Sequence, residues 1–309
     1  MPQVWRERKG IQLIKRKMGI AEKFRGFCDN LKMAQSVIDR VKYRYHQITQ
    51  RLNADFYGWS SDTLNSLYVG SYGRGTAIHI SDIDVIFQMP SSAYFRYNGY
   101  RNNGQSQLLQ DLRRSLLKTY SGSDVSGDGQ VTDIFFSDGM KFEIVPGIEF
   151  TDGTFRYPDS NDGGRWRITD PRPEIESVRD YDKKFNGNMR RLARMVRAWK
   201  DEWNVPMGGL LIDTMAARFL DQWQYNDKSY LYYGFMTRDF FAWLSCQDDT
   251  QSYWYALGSN QLIYKRGPFS YKAKCTYNRA LEAIDYENAG CQWSANMKWK
   301  EIYGSKFPS

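Results

Sequence analysis

Two carboxylates separated by one residue, Asp82 and Asp84, open a β-branched and aromatic run that ends at Phe87. Side chains two residues apart on a strand point to the same face, so the two carboxylates are expected to lie side by side. Such a pair repels itself unless a cation lies between its members, and hard carboxylate oxygens select Mg²⁺ or Mn²⁺. The pair therefore predicts a site for divalent metal ions at the head of a strand.

A turn rich in small residues precedes this pair along the chain. Gly70 and Ser71 follow a short predicted strand that ends at Val69, and Arg74 comes three residues after Ser71. Small residues let backbone N–H groups approach a polyphosphate, and Ser71 and Arg74 add a hydroxyl and a guanidinium. The turn and the carboxylates together predict a pocket for a nucleoside triphosphate and its metal ions.

A third carboxylate comes from a later predicted strand, Lys141 to Pro146. By alternation, Lys141 and Glu143 share one face of this strand, while Phe142 and Ile144 point to the other. A charged residue among apolar neighbours on a central strand is costly unless it is paired or binds metal. Glu143 is therefore predicted to complete the metal site.

These motifs resemble the signature of the polymerase-β-like nucleotidyltransferases. Within that superfamily they are most similar to the bacterial cyclic-oligonucleotide synthases (CD-NTases of the SMODS type), which are related to cyclic GMP-AMP synthase and oligoadenylate synthetase. The signature here reads Gly70-Ser71-Tyr72-x-Arg74-x-Thr76 and then Ser81-Asp82-x-Asp84. Glu143-Ile144-Val145-Pro146 is similar to the third-carboxylate strand of the family, in which Asp is commoner than Glu.

The resemblance implies an α+β fold. Its parts would be a nucleotidyltransferase core of mixed β-sheet with helices, a C-terminal helical lobe and a long N-terminal helix that bridges them. The apolar periodicity of residues 21–52 is typical of such a helix. We expect residues 1–180 to form the catalytic lobe with its bridging helix, and residues 181–309 to form the helical lobe.

The resemblance also implies the roles of the site residues. Asp82 and Asp84 would bind two Mg²⁺ ions, for which Mn²⁺ is an alternative, and Glu143 would bind the ion that activates the attacking hydroxyl. Gly70, Ser71 and Arg74 would hold the triphosphate of the substrate.

The resemblance implies two further nucleotide-binding residues, Arg197 and Lys200, on a basic helix in the C-terminal half. Arg190, Arg194 and Arg197 fall at i, i+4 and i+7, which places them on one face of a helix. In the family, basic residues of this helix face the triphosphate, and Arg197 matches that position best. The alternative interpretation is an exposed arginine stripe.

Three features depart from the family pattern. Glu143 is one methylene longer than the usual Asp, and Gly209-Leu210 stands where a Ser-Tyr or Gln-Tyr pair is usual. The two histidines and four scattered cysteines provide no local zinc-binding spacing. DNA activation through a zinc-binding thumb, as in the animal DNA sensor, is therefore not expected.

Composition is consistent with this interpretation. The 309 residues are 41% hydrophobic, enough for a full core, and no apolar run approaches the roughly 20 residues that span a bilayer. We expect a cytoplasmic protein, since no apolar core follows the basic first residues and the cysteines are unclustered. The net charge of +8 includes a basic segment at residues 5–17, either a solvated face or a nucleic-acid contact.

Residues 151–173 show no periodicity. A structureless segment of this length inside a compact domain favours a functional loop, here a crossover between the lobes that shapes the acceptor side of the pocket.

The sequence thus predicts a metal-dependent nucleotidyltransferase that uses ribonucleoside triphosphates as substrates. The resemblance implies a cyclic di- or trinucleotide product, read by a separate effector protein in antiphage signalling. Two alternatives remain open at this point. One is a transferase of the same fold that makes linear oligonucleotides or nucleotidylates RNA or protein. The other is a catalytically idle module that binds nucleic acid through its basic faces.

Overall fold

The computed structural model describes residues 19–79 and 82–309, and of Asp128 only the backbone. The basic segment at 5–17 and Ser81 lie outside these residues. The chain divides into two compact units: a sheet unit, Met33–Ile175, and a helical unit, which joins residues 19–32 to Glu176–Ser309. Within the described residues, no helix is long and apolar enough to cross a membrane.

This division differs from the predicted lobes at both ends of the sheet unit. The chain leaves the sheet unit at residue 175 rather than 180, inside a helix that continues into the helical unit. Residues 19–32, expected to belong to the catalytic lobe, group with the helical unit instead.

In the described part of the sheet unit there are four α-helices, one short 3-10 helix (Asn161–Gly163) and seven strands. Its helices are α2 (Gln35–Phe56), α3 (Gly70–Gly73), α4 (Ser92–Asn98) and α5 (Gly104–Leu117). Its strands are β1 (Ser66–Tyr68), β2 (Asp82–Gln88), β3 (Asp124–Asp128), β4 (Val131–Phe135), β5 (Lys141–Glu149), β6 (Phe155–Asp159) and β7 (Arg165–Thr169).

The seven strands form one mixed sheet. Its main order is β1-β2-β5-β4-β3, with β2 and β5 parallel and the other pairs antiparallel, and β6 joins β5 to β7. One face is covered by α2 and α5, whose aliphatic side chains pack on Ile83, Val85 and Phe142. The alternating pattern of β2 and β5 therefore buries one set of side chains and leaves the carboxylates on the opposite face.

The helical unit is built from helices and one small two-stranded sheet. Its elements are α1 (residues 19–30), α6 (Pro171–Lys184, begun in the sheet unit), α7 (Asn188–Glu202), α8 (Gly209–Gln222), α9 (Tyr233–Ser245), β8 (Tyr253–Tyr255), β9 (Leu262–Tyr264), α10 (Ser270–Ala289) and α11 (Gln292–Tyr303). Its core is strongly aromatic. For example, the Phe24 ring lies edge-on to Trp299 with 5.1 Å between centroids. The α+β fold, with a mixed sheet and a helical C-terminal part, is confirmed.

The single helix expected over residues 21–52 is wrong in detail, because the chain leaves helical geometry at residues 31–34. Ala34 is extended, at φ −63° and ψ 145°, and α2 begins at the next residue. The apolar periodicity belongs to two separate cores. Phe24 and Phe27 are buried in the helical unit, whereas Val41 and Ile48 are buried in the sheet unit.

The expected loop at 151–173 is also wrong, since it contains the β6–β7 hairpin. The buried Asp159 carboxylate accepts hydrogen bonds from Arg165 Nε at 2.9 Å and from Arg167 Nε at 2.6 Å, which ties the two strands together. Arginine hydrogen bonds hold the pKa of Asp159 well below its usual range. A polar anchor of this kind leaves no apolar periodicity for sequence analysis to detect.

Candidate active site

The predicted carboxylates lie on neighbouring parallel strands. In the register of β2 and β5, Asp84 is paired with Glu143 and Asp82 is paired with Lys141. The two carboxyl groups are close enough for the charge of Glu143 to raise the pKa of Asp84. The structure therefore brings together the second and third predicted carboxylates, while Asp82 lies at the exposed start of β2.

The glycine turn lies directly against this pair. Gly70 begins α3 with φ +60°, a left-handed conformation that side chains rarely adopt. A Cβ atom added at Gly70 would overlap the carboxylate of Asp84. The turn is also attached to β2, since the Val69 N–H donates to the Asp84 carbonyl at 2.9 Å. Residue 70 must therefore be glycine for the turn and the carboxylate to lie this close.

Burial and mutual repulsion shape the electrostatics of the cluster. Burial raises the pKa of Asp84 to about 6, and the nearby Glu143 and Asp82 carboxylates add to the rise while Arg74 opposes it. A cation bound here would favour the ionised form of Asp84 and so offset the effects of burial and of the neighbouring carboxylates. This donor set of carboxylate oxygens fits a hard divalent cation such as Mg²⁺.

The cluster contains two charged residues that were not predicted as site residues, Asp133 and Lys141. Asp133 on β4 is paired with Glu143 in the antiparallel register. Lys141 Nζ lies 2.6 Å from Glu143 Oε1 and 3.2 Å from Asp133 Oδ2. Lys141 could have been noticed from the alternation of polar and apolar residues that indicated Glu143 on the same strand. The pairing of Asp133, however, depends on a strand register that no local pattern specifies.

The side chains do not yet form a closed metal site. In the described ranges, 19–79 and 82–309, no three Asp, Glu, His or Cys side chains converge closely enough to hold a metal ion. In addition, the Lys141 ammonium already engages one oxygen of Glu143. Carboxylates whose chemistry suits a divalent cation thus lie on one face of the sheet.

Arg74, expected to contact phosphate, is buried in the sheet unit. Its Nη1 lies 3.3 Å from Glu174 Oε2, and the two side chains are 6% and 7% exposed. An arginine placed this way positions the turn that it follows, and its positive charge also lowers the pKa of Asp84. Its direct contact with a triphosphate stays a prediction, as do those of Gly70 and the half-buried Ser71.

Arg197 and Lys200 lie on α7 in the helical unit. Arg197 is buried and forms two hydrogen bonds with the fully buried Asp213, at 2.7 and 2.9 Å, and a third with the Gly209 carbonyl. Lys200 lies one turn from Arg197, partly exposed, with Nζ 3.3 Å from Asp201. The exposed arginine stripe is therefore not observed at Arg197, and triphosphate binding by either residue stays a prediction.

We predict that the substitution R197M lowers the free energy of unfolding by about 3–5 kcal/mol, because it leaves Asp213 buried without its partner. Urea unfolding of R197M and of the partner variant D213N measures this. If α7 positions no phosphate through Arg197, the KM for the nucleoside triphosphate substrate stays within about threefold in both variants. A large KM increase in R197M alone would instead assign Arg197 to the triphosphate.

The fold is shared with solved structures of other bacterial proteins. CdnC of Escherichia coli MS115-1, solved with ATP, aligns with a TM-score of 0.66 at 15% identity, over 93% of this chain and 98% of CdnC. The cyclic AMP-GMP synthase DncV of Vibrio cholerae aligns with a TM-score of 0.58 at 13% identity, over 100% of this chain and 92% of DncV. The fold is therefore that of a polymerase-β-like nucleotidyltransferase.

Sequence comparison defines the family. Residues 18–182 match the model described as the Second Messenger Oligonucleotide or Dinucleotide Synthetase (SMODS) domain. A probable cyclic nucleotide synthase of Bacillus cereus (strain VD146) is 24% identical over 247 residues, which cover 77% of this chain and 74% of that protein. The chain belongs to the SMODS family of nucleotidyltransferases.

Proposed function

We propose that this protein joins ribonucleoside triphosphates into a cyclic di- or trinucleotide and releases pyrophosphate. The observation that carries the proposal is the register of β2 and β5, which places Asp84 beside Glu143 and directly behind the Gly70 turn. In this arrangement a phosphate bound at the turn would lie next to the carboxylates that hold its metal ions.

The chain's own residues divide the work of catalysis. Asp82 and Asp84 would hold the two divalent cations, and Glu143 would hold the one nearer the attacking ribose hydroxyl. When bound, such ions lower the pKa of the attacking hydroxyl and neutralise the charge that develops on the departing pyrophosphate. Gly70 and Ser71 would fix the triphosphate so that its α-phosphate faces the attacking oxygen.

Formation of a cyclic dinucleotide requires two such transfers, and formation of a cyclic trinucleotide requires three. In each transfer, a ribose hydroxyl oxygen bonds to an α-phosphorus, the bond to pyrophosphate breaks and the hydroxyl proton leaves. Support for a cyclic product comes from relatives. Besides the Bacillus cereus protein, a cyclic AMP-AMP-AMP synthase of an Acinetobacter strain is 22% identical over 167 residues, which cover 53% of this chain and 48% of that enzyme.

The resemblance to bacterial CD-NTases extends the proposal to the cellular role. A small cyclic product is suited to act as a diffusible signal, so a separate effector protein would read it, and antiphage defence is the setting that we propose. Salt-sensitive binding of nucleic acid without turnover of triphosphates would instead favour an idle binding module.

The test is an incubation of the purified protein with all four ribonucleoside triphosphates and Mg²⁺ or Mn²⁺. The mixture is then treated with phosphatase and analysed by mass spectrometry. We expect a resistant product with the mass of a cyclic di- or trinucleotide, absent from the D84N control. Phosphatase-sensitive linear products, or transfer of label to RNA or protein acceptors, would contradict cyclisation and favour the alternative transferase.

A further inference from the structure

Three carboxylates form a row across the open face of the sheet. Asp84 on β2, Glu143 on β5 and Asp133 on β4 are directly paired across the parallel and antiparallel registers. Neighbouring strands lie about 4.8 Å apart, so Asp133 lies one strand beyond Glu143, on the side away from Asp84. Asp133 is thus close enough to affect the metal site through a shared partner.

That partner is Lys141, which bridges Glu143 and Asp133. Its ammonium lies 2.6 Å from Glu143 Oε1 and 3.2 Å from Asp133 Oδ2, and its side chain is 20% exposed. The Phe135 ring, across the strand pair from Lys141, lies 5.2 Å from the ammonium nitrogen. Lys141 therefore acts as a cation tethered within the carboxylate row.

Asp133 has unused capacity to bind this ammonium. Its Oδ1 atom is buried and has no hydrogen-bond partner among the described residues. A buried carboxylate oxygen in this state is costly, and an ammonium that moves toward Asp133 would satisfy it. Release of Lys141 from Glu143 would therefore leave its charge paired.

We infer that Lys141 is a positioning residue that exchanges with the divalent cation. In the metal-free protein it holds Glu143, and on metal binding it moves onto Asp133, which frees Glu143 to coordinate. This inference rests on the metal site of the proposed function. It assigns Asp133 no contact with metal, only the task of receiving Lys141.

The test measures Mn²⁺ binding by titration calorimetry on metal-stripped protein in the absence of nucleotide. The wild type and D84N come first: binding that D84N removes locates the site. If the wild type shows no such binding, the proposed metal site fails, and this inference fails with it. Circular dichroism checks the fold of each variant. If the substitution K141M prevents folding of the variant described next, K141Q takes its place there.

The decisive variant is the double substitution K141M/D133N, which keeps the net charge of the cluster. Because competition by Lys141 is gone, we expect Mn²⁺ to bind about fivefold more tightly than to the wild type, equivalent to about 1 kcal/mol. D133N alone should weaken Mn²⁺ binding, because the Lys141 ammonium then has only Glu143 as a carboxylate partner in the cluster. If the double variant binds Mn²⁺ as tightly as the wild type does, only the net charge of the cluster affects the affinity. If it binds Mn²⁺ more weakly, Asp133 is itself a metal ligand. Either result contradicts the inference that Lys141 exchanges with the metal ion.

Discussion

Replacement of Asp84 by Asn is expected to reduce nucleotide transfer by at least about a hundredfold and to stabilise the metal-free protein. The loss follows because Asp84 is the carboxylate that lies against both the glycine turn and Glu143. The gain in stability follows because the same position is unfavourable for a charge, being buried and beside other carboxylates. A merely structural aspartate would show no such opposition between activity and stability.

The pH dependence of that stability has a definite sign. The pKa of Asp84 is about 6 in the folded protein, above its ordinary value of 3.8, so the folded state binds more protons between these values. The stabilisation by the protonated group is present at low pH and is lost as the pH rises through about 6. We therefore expect the free energy of unfolding of D84N to exceed that of the wild type by about 2–3 kcal/mol at about pH 8 and by little at about pH 4.

Urea unfolding in the presence of EDTA measures these differences in the free energy of unfolding. Incubation with ribonucleoside triphosphates, followed by mass spectrometry, measures turnover. The matched control is D124N, which removes the charge of an exposed aspartate of the same unit and should alter neither quantity. Turnover of D84N within tenfold of wild type, or an equal stability change at both pH values, would refute the assigned role.

Replacement of Gly70 by Ala is expected to remove activity and to lower the free energy of unfolding by about 3 kcal/mol or more. The φ of +60° imposes strain on any side chain, and the added Cβ would overlap the Asp84 carboxylate. The protein can relieve the overlap only by displacing Asp84 or the turn, and either change would separate the two parts of the proposed site. Urea unfolding and the nucleotide assay measure both losses.

Gly58 provides the control that separates strain from overlap. Its φ is +75°, but a Cβ there would meet nothing within 4 Å. We expect G58A to cost about 1–2 kcal/mol through backbone strain alone, with full activity. An active G70A would show that the close approach of Gly70 to Asp84 has no catalytic importance, and an inactive G58A would show that backbone strain alone removes activity.

Strand alternation made the central part of the site predictable from sequence. Asp84 and Glu143 were each placed on the open face of a strand by the apolar residues on either side of them, and the register confirms that they are neighbours. This inference needed only local information, because the period of a strand fixes which side chains share a face.

Contacts between distant segments could not be predicted in the same way. The pairing of Lys141 with Asp133 requires the register of β4 on β5, and a slip of one residue would turn Asp133 to the buried face. Arg197 was expected to face a triphosphate, which stays a prediction, but nothing in the sequence indicated that Asp213 on another helix would be its partner. Helical spacing shows which residues share a face, not what that face meets.

The division of the chain into units has a consequence for the order of its synthesis. The sheet unit is one continuous segment, Met33–Ile175, so it can fold as soon as that segment has left the ribosome. Residues 19–32 must wait longer, because Phe24 and Phe27 pack against Trp299, Tyr303 and Phe307 near the other end of the chain. At about 5–20 residues per second, the two rings stay without their partners for roughly 15–55 s in every nascent chain. This early helix is therefore the segment on which a co-translational chaperone would have most effect.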